Sequence, residues 1–470
     1  MTDAPLILWF RRDLRLADHP MLAAAAETGR PVVAVAILDD LAERLGAAPK
    51  WRWGAALGAF AARLEAIGAR LILRRGPALD VLAALVAETG ASGVWWSRLY
   101  DPASKARDAE VKAALRALGI DARSFPGFLL HEPWTVETGQ GGPYKVYSPY
   151  WRAVRDRGVG APLPTVTRLR PPAAWPESDR LEDWALGAEM RRGLEIVAGH
   201  ACVGEEAAAG RLTGFLEGRI GRYGAERDLP GAEATSGLSE NLAQGEVGPR
   251  QVWLGAARAM EEGAAGAETF LKELVWREFT YHLLHHFPDL ARSNWRAEWD
   301  AFPWRGESPQ AERWRRGMTG EPFVDAGMRE LYVTGRMHNR VRMVVASYLT
   351  KHLLTDWRLG LAWFEDCLID WDPAANAMGW QWVAGSGPDA APYFRVFNPA
   401  TQAKKFDPEG AYRRRFVAEL SRGPGPEALA FFEAAPRRWR LDPGAGYPEP
   451  VISLEAGRAQ ALAAYGQRAG

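Results

Sequence analysis

Cysteine is nearly absent: Cys202 and Cys367 are the only two in 470 residues. Two isolated thiols build neither a disulfide framework nor a metal-ligand set, so they read as reduced core residues of a cytoplasmic protein, and no metal is expected. No apolar run reaches the ~18 residues that a membrane span needs. The opening Met1-Thr2-Asp3-Ala4-Pro5 has no basic stretch of the kind that begins a secretory signal. Excess charge is absent too, with 58 Lys+Arg against 58 Asp+Glu. The whole-protein field therefore offers no attraction to nucleic acid, and such a partner would need a local basic patch. The dinucleotide fingerprint G-x-G-x-x-G does not follow the first apolar run. Repeats and low-complexity segments are likewise missing. Tryptophan, by contrast, is abundant at 21 residues, which suits a large aromatic core, a stacking surface or electron transfer.

The first 130 residues alternate short apolar runs with amphipathic stretches. Leu6–Phe10, Val32–Leu38, Leu71–Leu73 and Val94–Trp96 read as strands, with helices near 19–28, 52–67, 78–88 and 104–118. Continuous apolar strands between helices predict a parallel, Rossmann-like sheet covered on both faces. Residues 139–200 are loop-like and punctuated by Pro162, Pro164, Pro171, Pro172 and Pro176, as in a long surface connection. From 201 the apolar spacing is helical over 267–286, 337–354 and 359–369, so this part should be all-α. The expected organisation is an α/β domain over 1–135, a connector over 136–200 and an all-α domain over 201–470.

Five constellations carry candidate chemistry. Glu273, Trp276 and Arg277 fall at i, i+3, i+4, placing an acid, a flat aromatic and a cation on one helix face; an ordinary amphipathic helix is the plainer alternative. Asn339, Arg342 and Met343 repeat that spacing with an amide, a cation and a soft thioether. Asp370 and Asp372 sit among aromatic and small residues, where carboxylates need cations or strong donors, and Arg342 is an available partner. Thr235-Ser236-Gly237-Leu238-Ser239 suits a phosphate or a plain turn. Residues 395–415 hold Arg395, Lys404, Lys405, Arg413, Arg414 and Arg415 against Asp407 and Glu409, beside Tyr393, Phe394 and Phe397; this local basic excess could grip a phosphate backbone.

Trp9-Phe10-Arg11-Arg12-Asp13-Leu14-Arg15 resembles the opening of the photolyase/cryptochrome family. The likeness continues through Trp276–Phe279, Met337–Met343, Asp370–Trp382 and Asp389–Pro399, in order over nearly the whole chain, and is strongest to microbial cyclobutane pyrimidine dimer photolyases. It implies an FAD-binding helical domain and light-dependent splitting of pyrimidine dimers in DNA, with the lesion flipped into a pocket. A blue-light sensor and a six-four photolyase, for which His338 is a candidate histidine, are the alternatives. By motif position FAD should touch Tyr223, Thr235, Ser236, Gly237, Leu238, Ser239, Phe270, Arg342, Asp370, Asp372 and Asn376, with Asn376 beside flavin N5. Glu273, Asn339 and Met343 match lesion-pocket contacts, and Trp276 and Trp382 its flat wall. Arg227, Arg277, Arg340, Arg395 and Lys405 match DNA contacts. Trp380, Trp357 and Trp304 match the tryptophan chain that reduces oxidised flavin in light.

The chain departs from the family pattern in three places. Phe270 stands where Trp is common, and the third place of Thr235–Ser239 lacks an Arg that many relatives have. Ala103 and Ser104 stand where folate-binding relatives carry an amide and an acid, so a second, antenna chromophore could be folate, flavin, deazaflavin or absent. A monomer is expected.

Overall fold

The computed structural model describes residues 3–390, 392–393 and 395–467. Ala391 and Phe394, both in the motif quoted above, lie outside the described residues. The chain forms two compact units. One comprises residues up to Ala188 with 202–221 and 236–288; the other comprises 189–201, 222–235 and 289–470.

The first unit is built on β1 (Leu6–Trp9), β2 (Val32–Leu38), β3 (Leu71–Arg75), β4 (Gly93–Ser97) and β5 (Asp121–Phe125). Every pairing is parallel and the order is β3-β2-β1-β4-β5. All seven residues of β2 are buried, as a strand covered on both faces requires. The crossovers run through α1 (Pro20–Glu27), α2 (Ala47–Ala66), α3 (Ala78–Thr89) and α4 (Pro102–Ala117). The sheet and its helices are the expected ones, save that β5 was not anticipated. Its sequence, Asp121-Ala-Arg-Ser-Phe125, is an edge strand with one buried residue, so it carries no apolar run.

The proline-punctuated segment holds more regular structure than its composition implies. Helix α5 (Tyr147–Val154) buries Tyr147, Tyr150, Trp151 and Val154. That is a helical i, i+3, i+4, i+7 pattern, and the loop signals on either side obscured it. The first unit also contains α6 (Glu205–Gly218), the short α7 (Ser239–Gln244) and α8 (Ala267–His286).

The second unit is helical: among its described residues the only β-type pairing is an isolated bridge between Arg305 and Thr355. Its helices include α9 (Pro322–Thr334), α10 (Asn339–Ser347), α11 (Trp357–Cys367), α12 (Pro373–Ala384), α13 (Pro399–Phe406) and α14 (Leu454–Gln467). The periodic stretch 337–354 is interrupted. His338 caps α10, and a π-turn over Tyr348–His352 ends it. Among the described residues no helix is long and apolar enough to cross a membrane, and no cluster of His, Cys, Asp and Glu could hold a metal ion. Cys202 and Cys367 are both free thiols.

Candidate functional site

In the second unit, two helix faces close on a cavity of about 150 Å³. Helix α10 supplies Asn339, Arg342, Met343 and Ala346, spaced i, i+3, i+4, i+7 along one face. Helix α12 supplies Ala375, Asn376, Gly379, Trp380 and Val383, and α11 adds Phe364. Asn339 and Gly379 are exposed at the mouth, while Asn376 and Trp380 are buried. A Cβ placed on Gly379 would meet nothing within 4 Å, so the small residue leaves open space at that point of the wall.

The helix starts set this geometry. His338 ends an extended segment, and its Nδ1 accepts from the Arg340 amide at 3.2 Å, capping α10. Burial pushes this imidazole down to about 4, against a partly compensating Asp228, so the ring stays neutral and able to accept. It caps α10 and is not among the residues that line the cavity. Asp372 caps α12, accepting from the Ala374 and Ala375 amides at 3.1 and 2.9 Å, with Pro373 at the first helical position. That cap fixes the turn carrying Asn376, whose Nδ2 donates to the Asp372 carbonyl at 3.0 Å.

The expected partnership of Arg342 and Asp370 forms. Arg342 Nη2 donates to both carboxylate oxygens at 3.0 and 2.8 Å, and Arg342 Nε donates to the Met337 carbonyl at 2.8 Å. The Asp370 side chain is 4% exposed and that of Arg342 22%, so the pair buries its acid and leaves part of its cation at the cavity. An indole wall, a guanidinium and an amide whose N–H is already committed suit a flat heteroaromatic ring with a polar edge. The donor set fits a flavin.

The three tryptophans expected to form a relay are placed by backbone and side-chain contacts. Trp304 is partly exposed, and the Arg305 amide after it donates to the Leu354 carbonyl at 2.7 Å. That pairing leads into α11, where Trp357 is fully buried and its Nε1–H donates to Asn294 Oδ1 at 2.9 Å. One turn along α11, a Cβ on Gly360 would lie 2.1 Å from the Trp380 ring. The indole of Trp380 thus rests on the backbone of the helix that carries Trp357. Of the remaining residues expected in this unit, Tyr223 is buried with the Arg227 guanidinium 5.4 Å from its ring centre. Arg340 pairs with Asp228 at 2.6 Å and covers Phe406. Trp382 is half-buried, while Arg395 and Lys405 are exposed. The basic excess is smaller than the sequence count, because Arg415 pairs with Glu427 from outside the stretch, while Arg413 pairs with Asp407, which that count already includes.

In the first unit, Glu273, Trp276 and Arg277 lie on α8, all half-buried. Trp276 stacks on Tyr147 with ring centres 3.7 Å apart and planes 7° apart, a contact with no signal in the spacing of either residue. Arg277 donates to the Phe128 carbonyl at 2.9 Å. Beside it, Glu278 is buried and accepts from the amides of Leu130 and His131 at 2.8 and 3.2 Å. Burial raises this acid to about 7, and Arg277 and the two amides offset only part of that. A carboxyl with a raised folded-state value adds stability that is complete below its unfolded value and fades as pH rises through about 7. Glu278→Gln should therefore melt higher than the parent at pH 8.5, by the order of 3 kcal/mol, and match it near pH 4.5. Thermal melts at the two pH values check this, and an equal gap at both would refute it.

The small-residue loop of the first unit turns at Gly237, with φ +66°, and Ser239 opens α7. Arg211 on α6 donates to the Gly237 carbonyl at 2.6 Å and to Glu240 at 2.7 Å, so a guanidinium accompanies a loop that lacks an arginine of its own. Phe270 is buried against Phe215, ring centres 4.6 Å apart. Ser104 lies in the first turn of α4, its amide donating to the capping Asp101 at 2.9 Å.

Comparison with known proteins identifies the family. The family model described as DNA photolyase matches residues 6–169, and that described as FAD binding domain of DNA photolyase matches 270–467. A deoxyribodipyrimidine photo-lyase of Agrobacterium fabrum is 46% identical, the alignment covering 99% of this chain and 98% of the relative. Cryptochrome-2 of Arabidopsis thaliana is 33% identical over 97% of this chain and 78% of its own. The crystal structure of a bacterial class III photolyase from Agrobacterium tumefaciens superposes with a TM-score of 0.92 at 44% identity, covering 100% of this chain and 98% of that one.

Proposed function

Because the chain belongs to the DNA photolyase family, we propose that it is a deoxyribodipyrimidine photo-lyase that splits cyclobutane pyrimidine dimers in DNA under light. The observation that carries this reading is the cavity itself: Asn339, Arg342, Met343, Asn376 and Trp380 converge on one space beside a buried ion pair. When bound, reduced FAD supplies the light-driven one-electron chemistry.

The residues of the second unit have distinct tasks in this reading. Tyr223, Thr235, Asp372 and the Arg342–Asp370 pair hold the cofactor. Asn376 presents an amide, which has no acidic proton to give, and so favours an anionic reduced ring. Asn339 and Met343 border the lesion at the cavity mouth, with Trp382 as part of its wall. Trp380, Trp357 and Trp304 carry electrons inward from the partly exposed end. Arg227, Arg340, Arg395 and Lys405 meet DNA phosphates, which fixes register without reading sequence. In the first unit, the Ser236–Ser239 turn and Phe270 offer the donors and the ring that suit a cofactor, and Glu273, Trp276 and Arg277 offer an acceptor, a flat ring and a cation that suit bases. The partition into 1–135, 136–200 and 201–470 belongs to the same proposal.

The test is direct. Purified protein should carry flavin absorbance and restore thymines in a dimer-containing oligonucleotide in light but not in darkness. Light-driven flavin reduction without repair would favour the sensor and overturn the enzyme. Glu273→Ala should lower repair about tenfold to a hundredfold while the flavin content stays unchanged, since a hydrogen bond to a charged group is worth ~1.5–3 kcal/mol. Loss of the flavin together with repair would contradict the role given to Glu273.

A further inference from the structure

Lys351 is 1% exposed and sits on the π-turn that ends α10. Among the described residues no carboxylate pairs with it. Its Nζ donates to the Arg395 carbonyl at 3.0 Å and lies 5.1 Å from the ring centre of Tyr393. One turn earlier on the same element, Ser347 Oγ accepts from the Phe397 amide at 3.3 Å. A lone ammonium is costly to bury, and a fold that keeps one without a counter-ion is spending stability on something else. Both contacts fall on the Arg395–Phe397 segment, and both come from the element that carries Asn339 and Met343 into the cavity.

We propose that Lys351 is a positioning residue for DNA engagement: with Ser347 it fastens the Arg395–Phe397 segment to α10, holding the exposed Arg395 guanidinium at a fixed offset from the lesion-contacting residues. This rests on the photolyase reading above. The fastening is also sensitive to pH. Burial, with the nearby Arg395 charge, brings the Lys351 ammonium down to about 7. The other charged or titratable groups on the turn and on the elements packed against it are Tyr348 and His352, Arg340 and Arg342 on α10, Arg358, Glu365, Asp366 and Cys367 on α11, Glu455, Arg458 and Tyr465 on α14, and Tyr393; of these His352 is itself pushed down by burial and by the Lys351 charge. An ammonium donates a stronger hydrogen bond than the neutral amine, so the segment is held less firmly as pH rises through this range.

Binding of fluorescent oligonucleotides, with and without a dimer, across pH 6 to 9 tests the proposal. Wild-type affinity for the dimer duplex should fall about fivefold over that range, the difference between a charge-assisted and a neutral hydrogen bond. Lys351→Met should bind at the weak pH 9 level throughout, with no step. Lys351→Gln, which keeps a neutral donor, should do the same and serves if the methionine variant is insoluble. Lys351→Arg, charged throughout, should retain the pH 6 affinity. Wild-type affinity in the methionine or glutamine variant, or a pH step that survives in either, overturns the proposal. Failure of the wild type to prefer dimer over plain DNA would instead overturn the photolyase reading, and the step in plain-DNA binding would still report the fastening.

Discussion

Trp380→Phe abolishes light-driven reduction of the bound flavin while sparing repair by protein reduced chemically beforehand. Trp380, the relay member of the proposed function that lines the cavity, is buried against Phe364 and Trp314 with ring centres 5.0 and 6.1 Å away. Phenylalanine fills most of that space but is far harder to oxidise than an indole. A barrier rise of only ~2.7 kcal/mol slows a step about a hundredfold, so a loss of at least that size is expected in the photoreduction rate. The fold should lose about 1–3 kcal/mol from the smaller ring, too little to unfold it. Trp304→Phe, at the partly exposed end, should give the same split with a smaller structural cost. Bleaching of flavin absorbance under blue light, followed beside repair of a dimer oligonucleotide by dithionite-reduced protein, separates the two activities. Equal loss of both would show that Trp380 acts as scaffold rather than carrier.

Asp370→Ala should yield a colourless and markedly less stable protein. The substitution leaves the Arg342 guanidinium without its carboxylate partner, and among the described residues its other hydrogen bond runs from Nε to the Met337 carbonyl. Removing one partner of a buried pair typically costs ~3–5 kcal/mol, mostly because the survivor is left uncompensated. The loss is local to the cavity, so cofactor retention should fall with stability. Asp370→Asn, which keeps an acceptor, should lie between the two. Flavin absorbance per mole of protein and the melting temperature provide the measurements; a yellow Asp370→Ala protein melting with the parent would remove the pair from the binding machinery.

Much of the cavity was legible in the sequence because helical spacing converts directly into a shared face. Asn339, Arg342 and Met343 needed only the 3.6-residue period, and the partnership of Asp370 with Arg342 needed only the rule that buried carboxylates find cations. The strands of the sheet were equally plain, since a strand covered on both faces is written as an unbroken apolar run; β5, an edge strand with one buried residue, had no such signature. Contacts made across large sequence separations left no trace. The stacking of Tyr147 on Trp276 and the hydrogen bond from Trp357 to Asn294 depend on how segments pack, which no local period encodes. The π-turn was hidden for a different reason: its residues keep the apolar spacing of a helix while the backbone widens by one residue, and only the buried charge of Lys351 marks the place.

The seat of Trp380 on Gly360 bears on how this protein can age and vary. A side chain held by other side chains drifts when any of them mutates, but an indole resting on a bare stretch of main chain has a floor that substitution elsewhere does not move. In the proposed relay, the inner step should therefore be the most tolerant of drift in its surroundings. It should also be intolerant at one position: a methyl at residue 360 would lie 2.1 Å from the Trp380 ring and push it out of its seat.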